Sequence, residues 1–310
     1  MINRRRFLAL SIALTHPIAH AFRKQSGGGP VEIWRSQALG ANIHISIDQT
    51  TAQIMGPKLD HDLTKIRQDI EQIESMFSLY RSNSLLTQLN SQGYLEDPPW
   101  LFVELLNHAR ALHELTQGYF DPTIQPLWQA LARQENTERA RQLIGFNRIH
   151  FDSAKIEFSD PQMALSLNGI VQGFATDLVT ERLKNLGYAH SLLNIGEVAG
   201  IGPWRVGIEN SDDTLIDQLS IVDQAVATSS PFALTLGNHS HILSTGDRVL
   251  PKWKTVSVIA KTATLADGLS TGCVYLSESH IQHLANDSRI HRILVEDLNG
   301  EIKHFGSNIA

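Results

Sequence analysis

Leu165-Ser166-Leu167-Asn168-Gly169-Ile170-Val171-Gln172-Gly173-Phe174-Ala175-Thr176-Asp177 is the stretch whose reading decides the fold. The apolar run Met163 to Leu167 predicts a short buried strand. It breaks at Asn168-Gly169, where glycine opens backbone conformations closed to other residues. Ile170, Phe174, Leu178, Leu183 and Leu186 then follow at helical spacing and stop at Gly187, the pattern of a helix with a glycine terminus. A strand, a glycine-containing turn and a helix start bring bare N–H groups and the positive end of a helix dipole to one spot, which suits an anionic ligand. The same residues also fit a plain tight connection between a strand and a helix.

Upstream, two β-rich runs between Val31 and Ile47 flank Leu39-Gly40, and Ile43, Ile45 and Ile47 alternate with polar residues as in a half-buried strand. Leu59, Leu63, Ile66, Ile70, Ile73 and Phe77 repeat at spacings of four and three, which predicts an amphipathic helix with a core-facing stripe. FSLYRSNSLLTQLN (77–90) follows, with Ser84 placed to cap a short helix. Trp100 to Thr116 is a further predicted helix, stopped at Gly118. GYFDPTIQPLW (118–128) puts a turn at Asp121-Pro122-Thr123 before a short helix carrying Trp128. A helix over 135–143 and a hairpin over 148–158, with Asp152-Ser153 at its turn, complete the first half.

Downstream the chain reads as strands at 191–194, 198–201, 204–208, 225–230, 241–243, 255–260 and 290–295, with a helix over 264–275. No repeat or low-complexity linker interrupts it. The simplest account is one α+β domain built on a mixed, mainly antiparallel sheet flanked by helices.

Composition narrows the function. The 310 residues are 42% hydrophobic with a net charge of -6, so there is ample core material and no basic surface for tracking a nucleic-acid backbone. The single cysteine, Cys273, excludes an intramolecular disulfide and lies in an apolar helical run, where it reads as a small buried hydrophobe. At the N-terminus, Asn3-Arg4-Arg5-Arg6-Phe7-Leu8 precedes an apolar run to Leu14, then Pro17 and the small-residue cleavage pattern Ala19-His20-Ala21. This predicts a signal peptide over 1–21 that resembles a twin-arginine export signal, with Asn3 where Ser or Thr is usual. A flexible lead-in over 22–30 and a single domain over 31–310 would follow. The expected location is the periplasm, or the membrane surface if the signal stays attached.

Two residue pairs carry candidate chemistry. Asp267 and Thr271 lie four apart on a predicted helix and so share a face, where a carboxylate and a hydroxyl can offer hard oxygens to Mg²⁺. On spacing alone, a solvated Asp and a Thr bonded back to its own helix is the simpler reading. His239 and His241 alternate along a predicted strand and could hold a metal or supply a base.

Taken together, these segments resemble the FAD:protein FMN transferases, the ApbE family, over about residues 31–305. FSLYRSNSLLTQLN resembles that family's first motif and GYFDPTIQPLW its Gly-x-Phe-Asp-Pro-Thr run, the most specific match. LNGIVQGFATD resembles its glycine turn and helix, AVATSS its Ala-Thr-Ser strand, HILSTG its His-Ile segment, and ADGLSTG its Ala-Asp-Ala-x-x-Thr helix. The resemblance implies an enzyme that moves FMN from FAD to a Thr or Ser hydroxyl of an exported or membrane flavoprotein, releasing AMP. It implies Mg²⁺ held by Asp267, Thr271 and the Gly169 carbonyl, and His241 as base. It implies FAD contacts from Leu39, Tyr80, Tyr119, Phe120, Asp121, Ser166, Gly169, Gln172 and Ile242. Peripheral contact with a membrane complex would follow from an acceptor of that kind.

The chain departs from the family pattern in places. Gln172 stands where a Lys or other charged residue is common, and Ser166 where an acid is often found. Asn194-Ile195-Gly196-Glu197 is one glycine short. His241-Ile242-Leu243 runs straight to Ser244-Thr245-Gly246 without the usual Asp-Pro. A non-catalytic flavin-binding or flavin-delivering protein, and an FAD pyrophosphatase with water as nucleophile, are the other activities this fold could carry.

Overall fold

A computed structural model describes residues 19–22, 31–210, 212–246 and 249–306. Residues 1–18 of the expected signal and 23–30 of the expected lead-in therefore lie outside the described residues, while the stretch between them, Ala19–Phe22, is a strand. The strands in chain order are β1 (Ala19–Phe22), β2 (Val31–Ala38), β3 (Ala41–Ile47), β4 (Tyr94–Glu96), β5 (Ile149–Phe151), β6 (Lys155–Phe158), β7 (Ser191–Ile195), β8 (Val198–Ile201), β9 (Pro203–Glu209), β10 (Leu215–Val222), β11 (Ala225–Ser229), β12 (Thr235–Leu236), β13 (His239–Ser240), β14 (Trp253–Ala260), β15 (Ile290–Asp297) and β16 (Ile302–Gly306). The α-helices are α1 (Gln49–Met55), α2 (Leu59–Phe77), α3 (Leu85–Gln92), α4 (Trp100–Leu115), α5 (Gln125–Arg133), α6 (Glu138–Gln142), α7 (Val171–Leu186), α8 (Ala263–Cys273) and α9 (Glu278–Leu284).

Eight strands form the central sheet in the order β16-β15-β14-β11-β8-β7-β3-β2, and every described pairing in it is antiparallel. The fold is thus the expected α+β domain, with none of the parallel pairs that a mixed sheet would add among the described residues. Alternation along the strands sorts the sheet into two buried faces. Leu193, Ile195, Val256, Val258, Ile293 and Val295 point into the larger core with the helices, including Ile66 and Ile70 of α2 and Phe174 of α7. Leu192, Ile259 and Leu294 point the other way and pack against Trp204, Val206 and Ile208 of β9 and Ile221 of β10.

The β2–β3 hairpin turns at Leu39-Gly40, both at positive φ (52° and 75°), the two-residue turn whose twist suits antiparallel strands. α2 buries the expected stripe from Leu63 to Phe77. Ser84 caps α3 by accepting the Thr87 N–H at 3.0 Å.

Local differences from the sequence expectation have physical causes. Met163 to Leu167 is extended, with Met163, Leu165 and Leu167 buried, but it forms no strand. In place of a neighbouring strand, the Asn90 side-chain amide grips Leu165, donating to its carbonyl at 2.9 Å and accepting its N–H at 2.7 Å. His241 to Leu243 is likewise not a strand; it comes directly after the two-residue strand β13. The helix expected over 135–143 is confined to Glu138–Gln142, and the one over 264–275 to Ala263–Cys273. The polar edge strand β16 and the largely exposed β10 carry too little apolar alternation to be read from sequence.

The contact between α7 and α8 sets the spacing of the side chains that face the central cavity. A Cβ on Gly173 would lie 2.4 Å from the Ala263 carbonyl oxygen and 2.7 Å from Asp267 Cβ, so only glycine lets the helices approach this closely. Asp177 of α7 caps α8, accepting the N–H groups of Ala263 (2.7 Å) and Thr264 (2.8 Å) and the Thr264 hydroxyl (2.5 Å).

Candidate active site

One cavity of about 410 Å³ opens where the start of α7, the middle of α8, the end of β11 and the β2–β3 turn converge. Every side chain singled out in sequence for cofactor, metal or base lines it, with the sole exception of His239.

The acidic end is built on α8. Asp267 is buried, and its Oδ2 accepts the Gly173 N–H at 2.9 Å in the first turn of α7. Burial pushes its carboxyl up to about 7, with Asp177 raising it further and the Gly173 N–H acting against the shift. One turn on, Thr271 faces the same space beside Gly169, whose added Cβ would come within 3.1 Å of the Thr271 hydroxyl. A row of hydroxyls continues behind it, with Ser229 Oγ 2.8 Å from Ser270 Oγ and 3.4 Å from Thr271 Oγ1.

Glu197, which the sequence pattern singled out only as part of a shortened motif, lines the cavity as a second buried carboxyl. Burial raises its pKa well above the ordinary range, and the neighbouring Asp267 charge adds to the shift. Its signal was present in sequence as an acid after a glycine turn, but its burial was not. Gly196 holds that turn at a φ of 88°, and its Cα faces the Gln172 side chain so closely that an added Cβ would lie 2.3 Å from Gln172 Oε1. Gln172 in turn donates to the Leu39 carbonyl at 3.1 Å. The short β7–β8 turn and the neutral residue at 172 are therefore one arrangement: the side chain fills the room beside Gly196 and ties it to the β2–β3 turn.

His241 lines the same cavity and is half-buried. Its Nδ1 lies 3.0 Å from the Leu234 carbonyl oxygen and 3.2 Å from that of Pro231. Carbonyls only accept, so Nδ1 carries the proton and Nε2 keeps its lone pair. Burial lowers the imidazole pKa, against the two carbonyl contacts, and so favours the neutral ring. His239 is exposed on β13 and does not line the cavity, so the two histidines do not form the pair that strand alternation suggested.

The remaining wall is aromatic and polar. Phe120 is buried, Tyr119 is partly covered, and Tyr80 stands at the rim with its hydroxyl accepting from Asn168 Nδ2 at 3.4 Å. Asp121 lines the cavity but its oxygens are engaged inward: Oδ1 accepts the Thr123 N–H at 2.8 Å and hydroxyl at 2.5 Å, and Oδ2 accepts the Phe146 N–H at 3.1 Å. It therefore shapes the wall and caps Pro122–Ile124 at the same time. Ser166, held by its N–H on the Pro122 carbonyl at 2.8 Å, and Ile242 complete the lining.

Among the described residues no lysine or arginine lines the cavity, while Asp121, Glu197 and Asp267 do. An anionic ligand here would need a cation to offset its charge. No group of three or more His, Cys, Asp or Glu side chains is arranged to hold a metal among the described residues. The donors that the family resemblance assigns, Asp267, Thr271 and the Gly169 carbonyl, are all oxygen and small in number. It fits Mg²⁺, which takes few protein ligands and fills its shell with water and phosphate oxygens.

The profile of the ApbE family matches residues 39–294. The FAD:protein FMN transferase of Vibrio cholerae serotype O1 is 24% identical over 278 residues, covering 79% of this chain and 82% of that protein. One from Chlamydia pneumoniae is 28% identical over 235 residues, 64% of this chain and 71% of its own length. Among solved structures, the flavin transferase ApbE from Vibrio cholerae superposes with a TM-score of 0.73 at 23% identity, covering 91% of this chain and 98% of that one. The ApbE protein from Thermotoga maritima superposes with a TM-score of 0.76 at 23% identity, covering 89% and 97%.

Proposed function

Because the chain belongs to the ApbE family, we propose that it transfers FMN from FAD to a Thr or Ser hydroxyl of a partner protein and releases AMP, with Mg²⁺ held by Asp267, Thr271 and the Gly169 carbonyl. The observation that carries this reading is the meeting of the buried Asp267 carboxyl, the Thr271 hydroxyl and a tautomer-locked histidine on one cavity that no lysine or arginine lines among the described residues. The relatives' names supply the substrates, FAD and a protein.

In this reading the acceptor hydroxyl oxygen bonds to the FMN phosphorus as the bond from that phosphorus to the AMP oxygen breaks, and the hydroxyl proton passes to His241 Nε2. The Nδ1 contacts with Pro231 and Leu234 hold the ring in the tautomer this needs. Bound Mg²⁺ supplies charge neutralisation on the pyrophosphate. Asp267 holds its carboxylate toward the cavity through the Gly173 N–H, and Tyr80, Tyr119 and Phe120 offer ring faces to the flat flavin or adenine. The neutral Gln172 and Ser166 leave the anion's charge to the metal site. The Arg4-Arg5-Arg6 signal supports export to the periplasm and an exported or membrane-bound flavoprotein as acceptor.

Incubation of the purified protein with FAD and Mg²⁺, with and without an extract of exported proteins, tests this. Transfer yields AMP together with a covalently fluorescent band that needs the extract. Free FMN plus AMP without a band would mean pyrophosphatase chemistry, and unchanged FAD would mean binding alone.

A further inference from the structure

The segment that carries His241 lies outside any strand, yet its next carbonyl is held by two hydroxyls. Tyr275 donates its phenolic O–H to the Ile242 carbonyl at 2.6 Å, and Ser240 Oγ donates to the same oxygen. On the other side, the His241 N–H donates to the Leu234 carbonyl at 3.1 Å, beside the ring contact to that same residue. The two-residue segment His241-Ile242 is thereby held at both ends, by backbone at the His241 N–H and by side chains at the Ile242 carbonyl.

Tyr275 is suited to this role by its own setting. It is buried, and its ring stacks on Tyr119 with centroids 5.7 Å apart and planes 18° from parallel. Tyr119 lines the cavity, so one side chain touches both the aromatic wall and the histidine segment. Burial pushes the phenol up to about 12, so it remains a donor across the working pH range. A carbonyl with two lone pairs can accept both hydroxyls, and Ser240 also lies within hydrogen-bond reach of the Tyr275 hydroxyl.

We infer that Tyr275, assisted by Ser240, is a positioning residue for the transfer step: it holds the Ile242 carbonyl so that the His241 ring keeps its place between the Pro231 and Leu234 carbonyls and the cavity. This rests on the reading of His241 as the base. The ring of Tyr275 packs and its hydroxyl positions, and the two parts separate by substitution. Tyr275→Phe keeps the stack on Tyr119 and removes only the grip on Ile242.

The test combines kinetics with a ring-specific signal. In Tyr275→Phe, the FAD dissociation constant is expected to stay within about twofold while transfer kcat falls by about 10- to 100-fold, the scale of a small misplacement of a catalytic group. In parallel, ¹⁵N-histidine NMR, with the His241 signal assigned by its loss in His241→Ala, should show the protected Nδ1–H resonance shifted or lost in Tyr275→Phe. Ser240→Ala should change both readouts in the same direction and less, and Ser240→Thr should restore them; this second pair stands in if Tyr275→Phe does not fold. Unchanged kcat and an unchanged Nδ1–H signal in Tyr275→Phe and Ser240→Ala would overturn the inference. A fully active His241→Ala would instead overturn the reading of His241, while the NMR signal would still report whether the two hydroxyls hold the ring.

Discussion

Asp267 on α8 accepts the backbone N–H of Gly173 on α7 across 2.9 Å, and Asp177, one turn further along α7, caps α8 in exchange. Each helix thus supplies a carboxylate to the first turn of the other. The exchange satisfies N–H groups that have no partner within their own helices, and it fixes the cavity-facing carboxylate without a cationic side chain.

Asp267→Asn separates the two roles of that carboxylate. The amide oxygen can still accept the Gly173 N–H, so the fold should survive, whereas Asp267→Ala leaves that buried donor unpaired at a cost of about 1–3 kcal/mol. A solvated Asp is one alternative in the sequence; the residue is buried, so the Asn variant is the cleaner probe. It should lose Mg²⁺-dependent turnover of FAD and lose the Mg²⁺-induced rise in Tm. Full turnover at saturating Mg²⁺ would dismiss Asp267 as a metal ligand.

The pH dependence comes from the raised carboxyl. With a folded value of about 7, above its ordinary one, Asp267 contributes stability that is fully present below the unfolded pKa and lost as pH rises through about 7. Glu197 is raised as well and adds in the same direction. Mg²⁺ at the proposed site would offset this loss only when Asp267 is ionised. The Mg²⁺-induced rise in Tm is therefore expected to be larger at about pH 8 than at about pH 5.5. Thermal melts at both values decide it, and a larger rise at the acidic value would contradict the assignment.

Gly173→Ala should strain the α7–α8 contact, because the new methyl meets backbone, the Ala263 carbonyl at 2.4 Å, with no flexible side chain to yield. Overpacking of this kind costs about 1–3 kcal/mol. Urea denaturation should show the loss, and FAD turnover should fall with it because Asp267 shares the contact. By contrast Gly187→Ala, where an added Cβ meets nothing within 4 Å but φ is 93°, should lower stability and spare turnover.

The proposed export signal is tested by the triple change Arg4→Lys, Arg5→Lys and Arg6→Lys. The protein should then stay in the cytoplasm, since paired guanidinium groups are the feature such signals present. An unchanged periplasmic yield would reject the twin-arginine reading.

Much of the fold was legible in the residues alone. The stripe of α2, the Ser84 cap, the Leu39-Gly40 turn and the Gly187 stop are local patterns, and each appears where spacing placed it. The cavity side chains came from motif resemblance, and they meet. The features that stayed hidden depend on distant partners. Met163 to Leu167 has a strand's apolar content, but Asn90, far away in sequence, takes the place of a neighbouring strand. The burial of Glu197 comes from the packing of β8 beside α7, which a single acidic residue does not announce. Asp121 reads as a ligand contact in a motif; it lines the cavity and also caps Pro122–Ile124, a second role that the motif does not announce. The grip of Tyr275 on Ile242 joins residues 33 apart, with no periodicity to reveal it.

The most direct measurement is the rate of covalent flavin transfer by His241→Ala beside its FAD affinity, with His239→Ala as the control on the neighbouring exposed ring. A positioned base accelerates removal of a hydroxyl proton by about 10²–10⁴-fold. His241→Ala should therefore bind FAD with near-normal affinity while in-gel flavin fluorescence appears at least about 100-fold more slowly, and His239→Ala should transfer at close to the wild-type rate. Full transfer by His241→Ala, or an equal loss in both variants, would contradict the account.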